Sequence, residues 1–135
     1  MAVLADTGFL FALLDKDDPH HKESSELLGR VGETIVVPFA VLPEVCYLAQ
    51  KYLGPEVDVS FLEGRLQGDF ALEWHVPSDL KRSAEIMRSR PEFGLVDAVV
   101  MATAERLRIS RIATFDRRHF GTFKSSHGKP FDLLP

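Results

Sequence analysis

Four acidic side chains in this sequence stand where acidic side chains are hardest to accommodate. Asp6 closes the apolar run Ala2–Ala5, and Asp116 follows Ile112-Ala113-Thr114-Phe115. Glu44 lies inside Val41-Leu42-Pro43-Glu44-Val45-Cys46-Tyr47-Leu48-Ala49, and Asp97 inside Leu95-Val96-Asp97-Ala98-Val99-Val100-Met101-Ala102. Helices apolar on all sides are buried helices, so Glu44 and Asp97 are expected in the interior. An isolated carboxylate there must be paired, protonated or bound to a cation. Brought together, the four repel one another unless a cation neutralises them. Oxygen ligands without cysteine or a histidine cluster suit Mg²⁺, or Mn²⁺, better than zinc. Such a site activates a water and stabilises the displaced oxygen in phosphodiester hydrolysis. Thr7 and Thr114 each stand near a strand-end Asp and are expected to orient a carboxylate or a bound water. Taken singly, each acid also reads as a helix cap or an ion-pair partner; the four together carry the signal.

The elements that must position them follow from hydrophobic pattern and punctuation. Ala2–Ala5 reads as a buried strand, residues 9–14 as a helix packed on a sheet, and Asp18-Pro19 as a helix start with proline at the first helical position. Residues 34–37 are β-branched and stop at Pro38, a second strand. Residues 39–53 are helical and break at Gly54-Pro55. A helix over 58–66, a strand over 70–76 closed by Pro77, and a helix over 78–88 follow. Leu95–Leu107 is a near-continuous apolar helix, 112–115 a short strand, and 131–134 a last one. Strands alternating with helices imply a central parallel sheet in a three-layer α/β/α sandwich. In such sheets, sites collect beyond the carboxyl ends of the strands. Asp6 and Asp116 fall at that edge, and the starts of the helices bearing Glu44 and Asp97 face it.

The chain has 135 residues, 45% hydrophobic and 27% charged, the size of one ordinary domain spanning 1–135. Its single cysteine, Cys46, excludes an internal disulfide framework and any cysteine-based zinc cluster. No apolar run approaches the ~20 residues needed to cross a bilayer. The start MAVLADTGF lacks the basic flank and cleavage site of a signal peptide, so a cytoplasmic protein is expected. A net charge of −4 argues against a passive nucleic-acid coat. The charge is unevenly spread: residues 1–80 carry 5 basic and 14 acidic side chains, residues 81–135 carry 11 and 6. An acidic region beside a basic one suits a metal site next to a polyanion groove, and equally a charged partner interface or chance.

At these residues the sequence resembles the PIN-domain ribonucleases, specifically the toxins of the VapBC toxin–antitoxin class, over essentially its whole length. The motifs are Leu4-Ala5-Asp6-Thr7, then Leu14-Asp15 and Asp18-Pro19-His20-His21, Val41-Leu42-Pro43-Glu44-Val45, Gly94-Leu95-Val96-Asp97-Ala98, and Thr114-Phe115-Asp116-Arg117-Arg118-His119-Phe120. The resemblance implies a PIN-like α/β/α fold and a divalent-metal-dependent endoribonuclease, commonly a homodimer, held inactive by a cognate antitoxin. By that match Asp6 and Asp97 are the principal Mg²⁺ ligands. Asp116 and Glu44 complete the acidic pocket, and Thr7 supports Asp6.

Other residues have plainer readings. His20 and His21 fit a solvated helix start, Asp15 and Asp18 a loop and a cap, and His119 a structural or rim position. Arg117 and Arg118 are candidates for holding RNA phosphates bidentately. Cys46 and Met101 read as core residues, as do Trp74 and the phenylalanines. Asp6-Thr7-Gly8 also matches the aspartic-protease triplet, but that fold is all-β. A phosphoacceptor receiver needs a lysine near its last strand, where arginines stand here. A metal-dependent phosphatase, and a non-catalytic PIN-like binding or scaffold module that keeps the carboxylates as an ion-pair network, are the remaining alternatives.

Overall fold

The computed structural model describes residues 2–135 except 66, 67 and 69. Five strands form one sheet: β1 (Ala2–Ala5), β2 (Thr34–Pro38), β3 (Phe70–Glu73), β4 (Arg111–Ala113) and β5 (Asp132–Leu134). Their spatial order is β3-β2-β1-β4-β5 and every pairing is parallel. The expected three-layer α/β/α architecture is therefore present. The helices are α1 (Thr7–Leu14), α2 (His21–Arg30), α3 (Val41–Leu53), α4 (Val57–Ser60), α5 (Pro77–Ser89), α6 (Leu95–Leu107) and α7 (Arg117–Phe120). α1 packs on α2 and α3, α3 packs on α4, and α5 lies along α6.

Strands β1, β2 and β4 consist almost wholly of buried aliphatic residues, because helices cover both faces of a parallel sheet. Val3, Leu4, Ala5, Val37, Ile112 and Ala113 are fully or almost fully excluded from solvent, together with Phe9, Leu10, Val41 and Val45 of α1 and α3. β1 lies at the centre, with Leu4 in register with Val36 on one side and Ile112 on the other. The order of the strands reverses there: the chain moves outward from β1 through β2 to β3, then returns to place β4 on the opposite side. Such a reversal is where parallel α/β sheets form a crevice, here beyond the carboxyl ends of β1 and β4.

Several boundaries differ from the sequence-based expectation, each for a local reason. α2 begins at His21, two residues after Pro19. Asp18 makes a turn instead of an N-cap, its carboxylate accepting from the His20 N–H at 2.8 Å and its carbonyl from the His21 N–H at 3.0 Å. β3 ends at Glu73 because its partner β2 ends at Pro38, directly opposite, leaving 74–76 without a strand to pair with. The helix expected over 58–66 is the short α4 followed by a π-helical turn, Phe61–Arg65; Leu66 lies outside the described residues. The four-residue α7 was not expected. Asp116 caps it, accepting from the His119 N–H at 3.0 Å.

A buried ion-pair network ties α5 to α6. The Arg106 guanidinium donates to both Asp79 oxygens, at 2.8 and 3.0 Å, and to Glu73 at 2.9 Å. The Asp79 side chain is 2% exposed. Burial pushes its pKa up, but the Arg106 hydrogen bonds and charge outweigh burial and hold it below the usual carboxylate range. Arg106→Met should therefore destabilise the protein by about 2–4 kcal/mol, because a buried carboxylate loses its partner. Urea unfolding at neutral pH reads this directly. An unchanged midpoint would mean that the Val76 N–H and the nearby His75 are partners enough for Asp79.

Candidate active site

The crevice between β1 and β4 gathers the predicted acids through a chain of short hydrogen bonds. Asp6 is the first residue beyond β1 and N-caps α1, with its Oδ1 accepting from the Thr7 N–H at 2.5 Å. Thr114, the residue after β4, donates its hydroxyl proton to Asp6 Oδ2 at 2.6 Å. The same Thr114 oxygen accepts from the Asp116 N–H at 2.9 Å. One threonine thus locks the two strand-end aspartates into a common geometry. Thr7 does the equivalent on the other side, its hydroxyl donating to Glu44 Oε1 at 2.7 Å. Both threonines orient carboxylates, as their placement predicts.

Asp97 enters from the first turn of α6. One carboxylate oxygen each from Asp97 and Asp116, with a ring nitrogen of His119, lie within 4.8 Å of one another. His119 Nδ1 is 2.8 Å from Asp97 Oδ2 and 3.2 Å from Asp116 Oδ2, so an N–H there has two carboxylate acceptors. Phe93 packs against the imidazole at 4.9 Å between centroids and limits its rotation. Of the structural or rim position expected for His119, the structure shows the first: the imidazole bridges two carboxylates. The signal was its placement three residues after Asp116, one helical turn when Asp116 caps a helix.

Burial does not follow the sequence-based reasoning for all four acids. Asp6 is 7% exposed, but Asp97 and Asp116 are half-buried and Glu44 is exposed. Glu44 and Asp97 occupy first turns, at helix ends that open to the crevice, while the apolar residues around them in sequence pack elsewhere. Continuous burial in α6 starts only at Ala98. The convergence of these side chains therefore rests on the strand ends and helix starts rather than on burial of every member.

The electrostatics identify what the cluster lacks. Burial raises the Asp6 pKa to about 6, and the nearby charges of Asp97 and Asp116 add to that rise against the Thr114 and Thr7 hydrogen bonds. Among the described residues no lysine or arginine forms an ion pair with Asp6, Glu44, Asp97 or Asp116. An ion-pair network of the kind a scaffold would keep needs such cations. A set of carboxylate oxygens, preoriented by hydroxyls and by His119 and without a lysine or arginine partner, fits a hard divalent cation.

Arg117 and Arg118 are exposed, and the Arg117 guanidinium donates to the Pro135 carbonyl at 3.1 Å. Arg118 makes no side-chain hydrogen bond among the described residues, and stands two residues after Asp116 in the chain. Trp74 is not a core residue. It is 62% exposed and stacks on Phe39 at 4.6 Å. Cys46 is half-buried, whereas Met101 is fully buried as expected.

Comparison with known proteins places this geometry in context. The family model described as the PIN domain matches residues 3–124. Ribonuclease VapC26 of Mycobacterium tuberculosis is 27% identical over 135 residues, covering 98% of this chain and 100% of that protein. The solved structure of M. tuberculosis VapC20, described as a Sarcin-Ricin loop cleaving toxin, superposes with a TM-score of 0.82 at 20% identity, covering 98% of this chain and 99% of that one. That of VapBC2 from Rickettsia felis, bound to a DNA fragment from its promoter, gives 0.70 at 18% identity, covering 98% and 97%. At these identities the two structures show a shared fold.

Proposed function

The chain belongs to the PIN-domain family, and on that premise we propose that it is a divalent-metal-dependent endoribonuclease, the toxin of a toxin–antitoxin pair. The observation that carries the reading is the Asp6–Thr114–Asp116–His119–Asp97 network at the β1/β4 crevice, acidic and, among the described residues, without a lysine or arginine partner. The similarity to a protein named as a ribonuclease over its full length supports the same reading. Asp6, Asp97 and Asp116 are the residues that would hold Mg²⁺ or Mn²⁺, with Glu44 completing the pocket through Thr7. When bound, such a cation supplies a nucleophilic water at neutral pH and charge stabilisation for the departing oxygen.

The chain's own residues do the rest. Thr114 keeps the Asp6 carboxylate from rotating and anchors the backbone of Asp116, whose own carboxylate accepts from the His119 N–H, so both meet the substrate already ordered. The Thr7 N–H and hydroxyl tie Asp6 and Glu44 to the start of α1. His119 holds its Nδ1 edge between Asp97 and Asp116 and keeps them together. Arg118 presents an unengaged guanidinium at the rim, where a phosphate flanking the cut would lie.

The 1–135 chain is proposed to act as one domain in the cytoplasm, as a homodimer, with a cognate antitoxin. No helix among the described residues is long and apolar enough to cross a membrane. Tyr47, Tyr52, Trp74, Leu80 and Leu95 are each more than half exposed and supply the apolar surface that protein partners need. The structural neighbours include toxin–antitoxin complexes from Klebsiella pneumoniae and Salmonella typhimurium.

The test is cleavage of a mixed RNA pool by antitoxin-free protein, with Mg²⁺ or Mn²⁺ and with EDTA. Cutting should require the metal and fall more than about a hundredfold in Asp97→Asn, beyond the 10–100-fold typical of losing a ligand's supporting partner. Cutting that survives in the variant, or in EDTA, would reject the assignment of activity to this pocket.

A further inference from the structure

The imidazole of His20 lies flat on the Phe115 ring, with centroids 4.0 Å and planes 16° apart. Phe115 joins Thr114, which holds Asp6, to Asp116, so this stack borders the acidic crevice within one residue of both. His20 precedes α2 in the N-cap position, but its side chain makes no capping hydrogen bond. The His20 N–H donates to Asp18 Oδ1 at 2.8 Å, which holds the backbone, and the stack on Phe115 sets the plane of the ring. Phe115 covers one face, yet the side chain remains 47% exposed, which leaves the opposite face turned to solvent. A preordered aromatic plane with one open face, beside a site for phosphodiester hydrolysis, has the form of a base-stacking surface. The acidic residues at the crevice themselves offer RNA no electrostatic attraction. Stacking supplies affinity that needs no charge, and histidine serves this purpose for unstacked bases of single-stranded RNA.

We propose that the His20–Phe115 pair is a nucleobase platform: the base adjoining the scissile phosphate of single-stranded RNA stacks on the open face of His20. The inference rests on the ribonuclease reading above and adds where the substrate is gripped. Because every base has a π-face, the platform sets the position of the cut relative to an unpaired nucleotide more than it selects the base.

The probe is a fluorescein-labelled randomised single-stranded RNA pool, with cleavage kinetics and, in the Asp97→Asn background, binding anisotropy. His20→Ala should raise KM and weaken binding about tenfold, the size of losing one stacked base, while kcat changes far less. His20→Phe should restore both, and the melting temperature of the three proteins should agree. Equal KM for wild type and His20→Ala, or a His20→Phe variant as poor as His20→Ala, would overturn the platform while leaving the nuclease intact. A melting temperature lowered in His20→Ala in step with its activity would overturn it too, in favour of a structural stack. Absence of both binding and cleavage in the wild type would instead remove the ribonuclease reading, and the platform with it.

Discussion

Asp6→Asn should inactivate the protein and at the same time make its metal-free form more stable. The two effects come from one carboxylate. Asp6 is 7% exposed and its pKa stands near 6, against an ordinary value of 3.8, chiefly because burial disfavours its charge. Between about pH 4 and pH 6 the folded metal-free protein holds a proton that the unfolded chain has released. Stability from this group is therefore present at low pH and lost as pH rises through 6, where an uncompensated charge is buried. Asparagine removes that charge while its Oδ1 still accepts from the Thr7 N–H. The Thr114 hydroxyl can accept from the new amide but loses its proton acceptor, which offsets part of the gain. A net gain of about 1–2 kcal/mol at pH 7.5 is expected. Thermal unfolding in EDTA should show Asp6→Asn melting above wild type, with the difference vanishing near pH 4. Added Mn²⁺ should raise the wild-type midpoint and leave the variant's unmoved, because only a protein that binds the ion in its folded state is stabilised by it. A variant less stable than wild type in EDTA at pH 7.5 would show that Asp6 is not electrostatically strained.

The second large effect concerns Thr114. Its hydroxyl is the hydrogen bond that most lowers the Asp6 pKa, partly countering burial, and it also orients Asp116. Protons and metal compete for Asp6, so wild-type metal affinity and cleavage should fall by about tenfold for each pH unit below about 6. Thr114→Val, nearly isosteric at a 1% exposed position, removes the donor and leaves the Asp116 N–H without its acceptor. Its cleavage should drop about 10–100-fold at pH 7.5, as for loss of other partners that orient metal ligands. The acidic limb of its pH–rate profile should also move to higher pH. Recovery of activity at high pH distinguishes a titration effect from simple misplacement. An acidic limb at the wild-type position would mean that Thr114 only packs.

Much of this molecule was legible in its residues. The alternation of β-branched runs with apolar helices identified a parallel α/β/α sheet, because a strand covered on both faces cannot afford polar residues and helices must bury a stripe. The strand ends Ala5-Asp6-Thr7 and Thr114-Phe115-Asp116 stood out because a carboxylate directly after such a run has nowhere to go except the sheet edge. Both threonines were identified by the same proximity, since an adjacent hydroxyl is the shortest available donor. Local pattern was less reliable at boundaries. Asp18-Pro19 carries the chemistry of a helix start but closes a turn instead, since the Asp18 carboxylate is used two residues later. The strand expected over 70–76 ends at Glu73 because a strand's length depends on its partner's.

What the tertiary structure alone decided is which groups face one another. Sequence neighbours made Glu44 and Asp97 look buried, yet both sit on the open first turn of a helix, and exposure depends on where that helix end lies against the sheet. His119 became a member of the pocket because Asp116 caps a single helical turn that swings the imidazole back between two carboxylates. The His20–Phe115 stack joins residues almost a hundred positions apart, a contact that no local propensity encodes. Side-chain type and period specify the elements, the edge of the sheet at which the acids stand and the oxygen-rich character of the proposed site. The packing of β4 beside β1 decided the rest, because distances and the fields that shift Asp6 exist only between groups the fold has brought together.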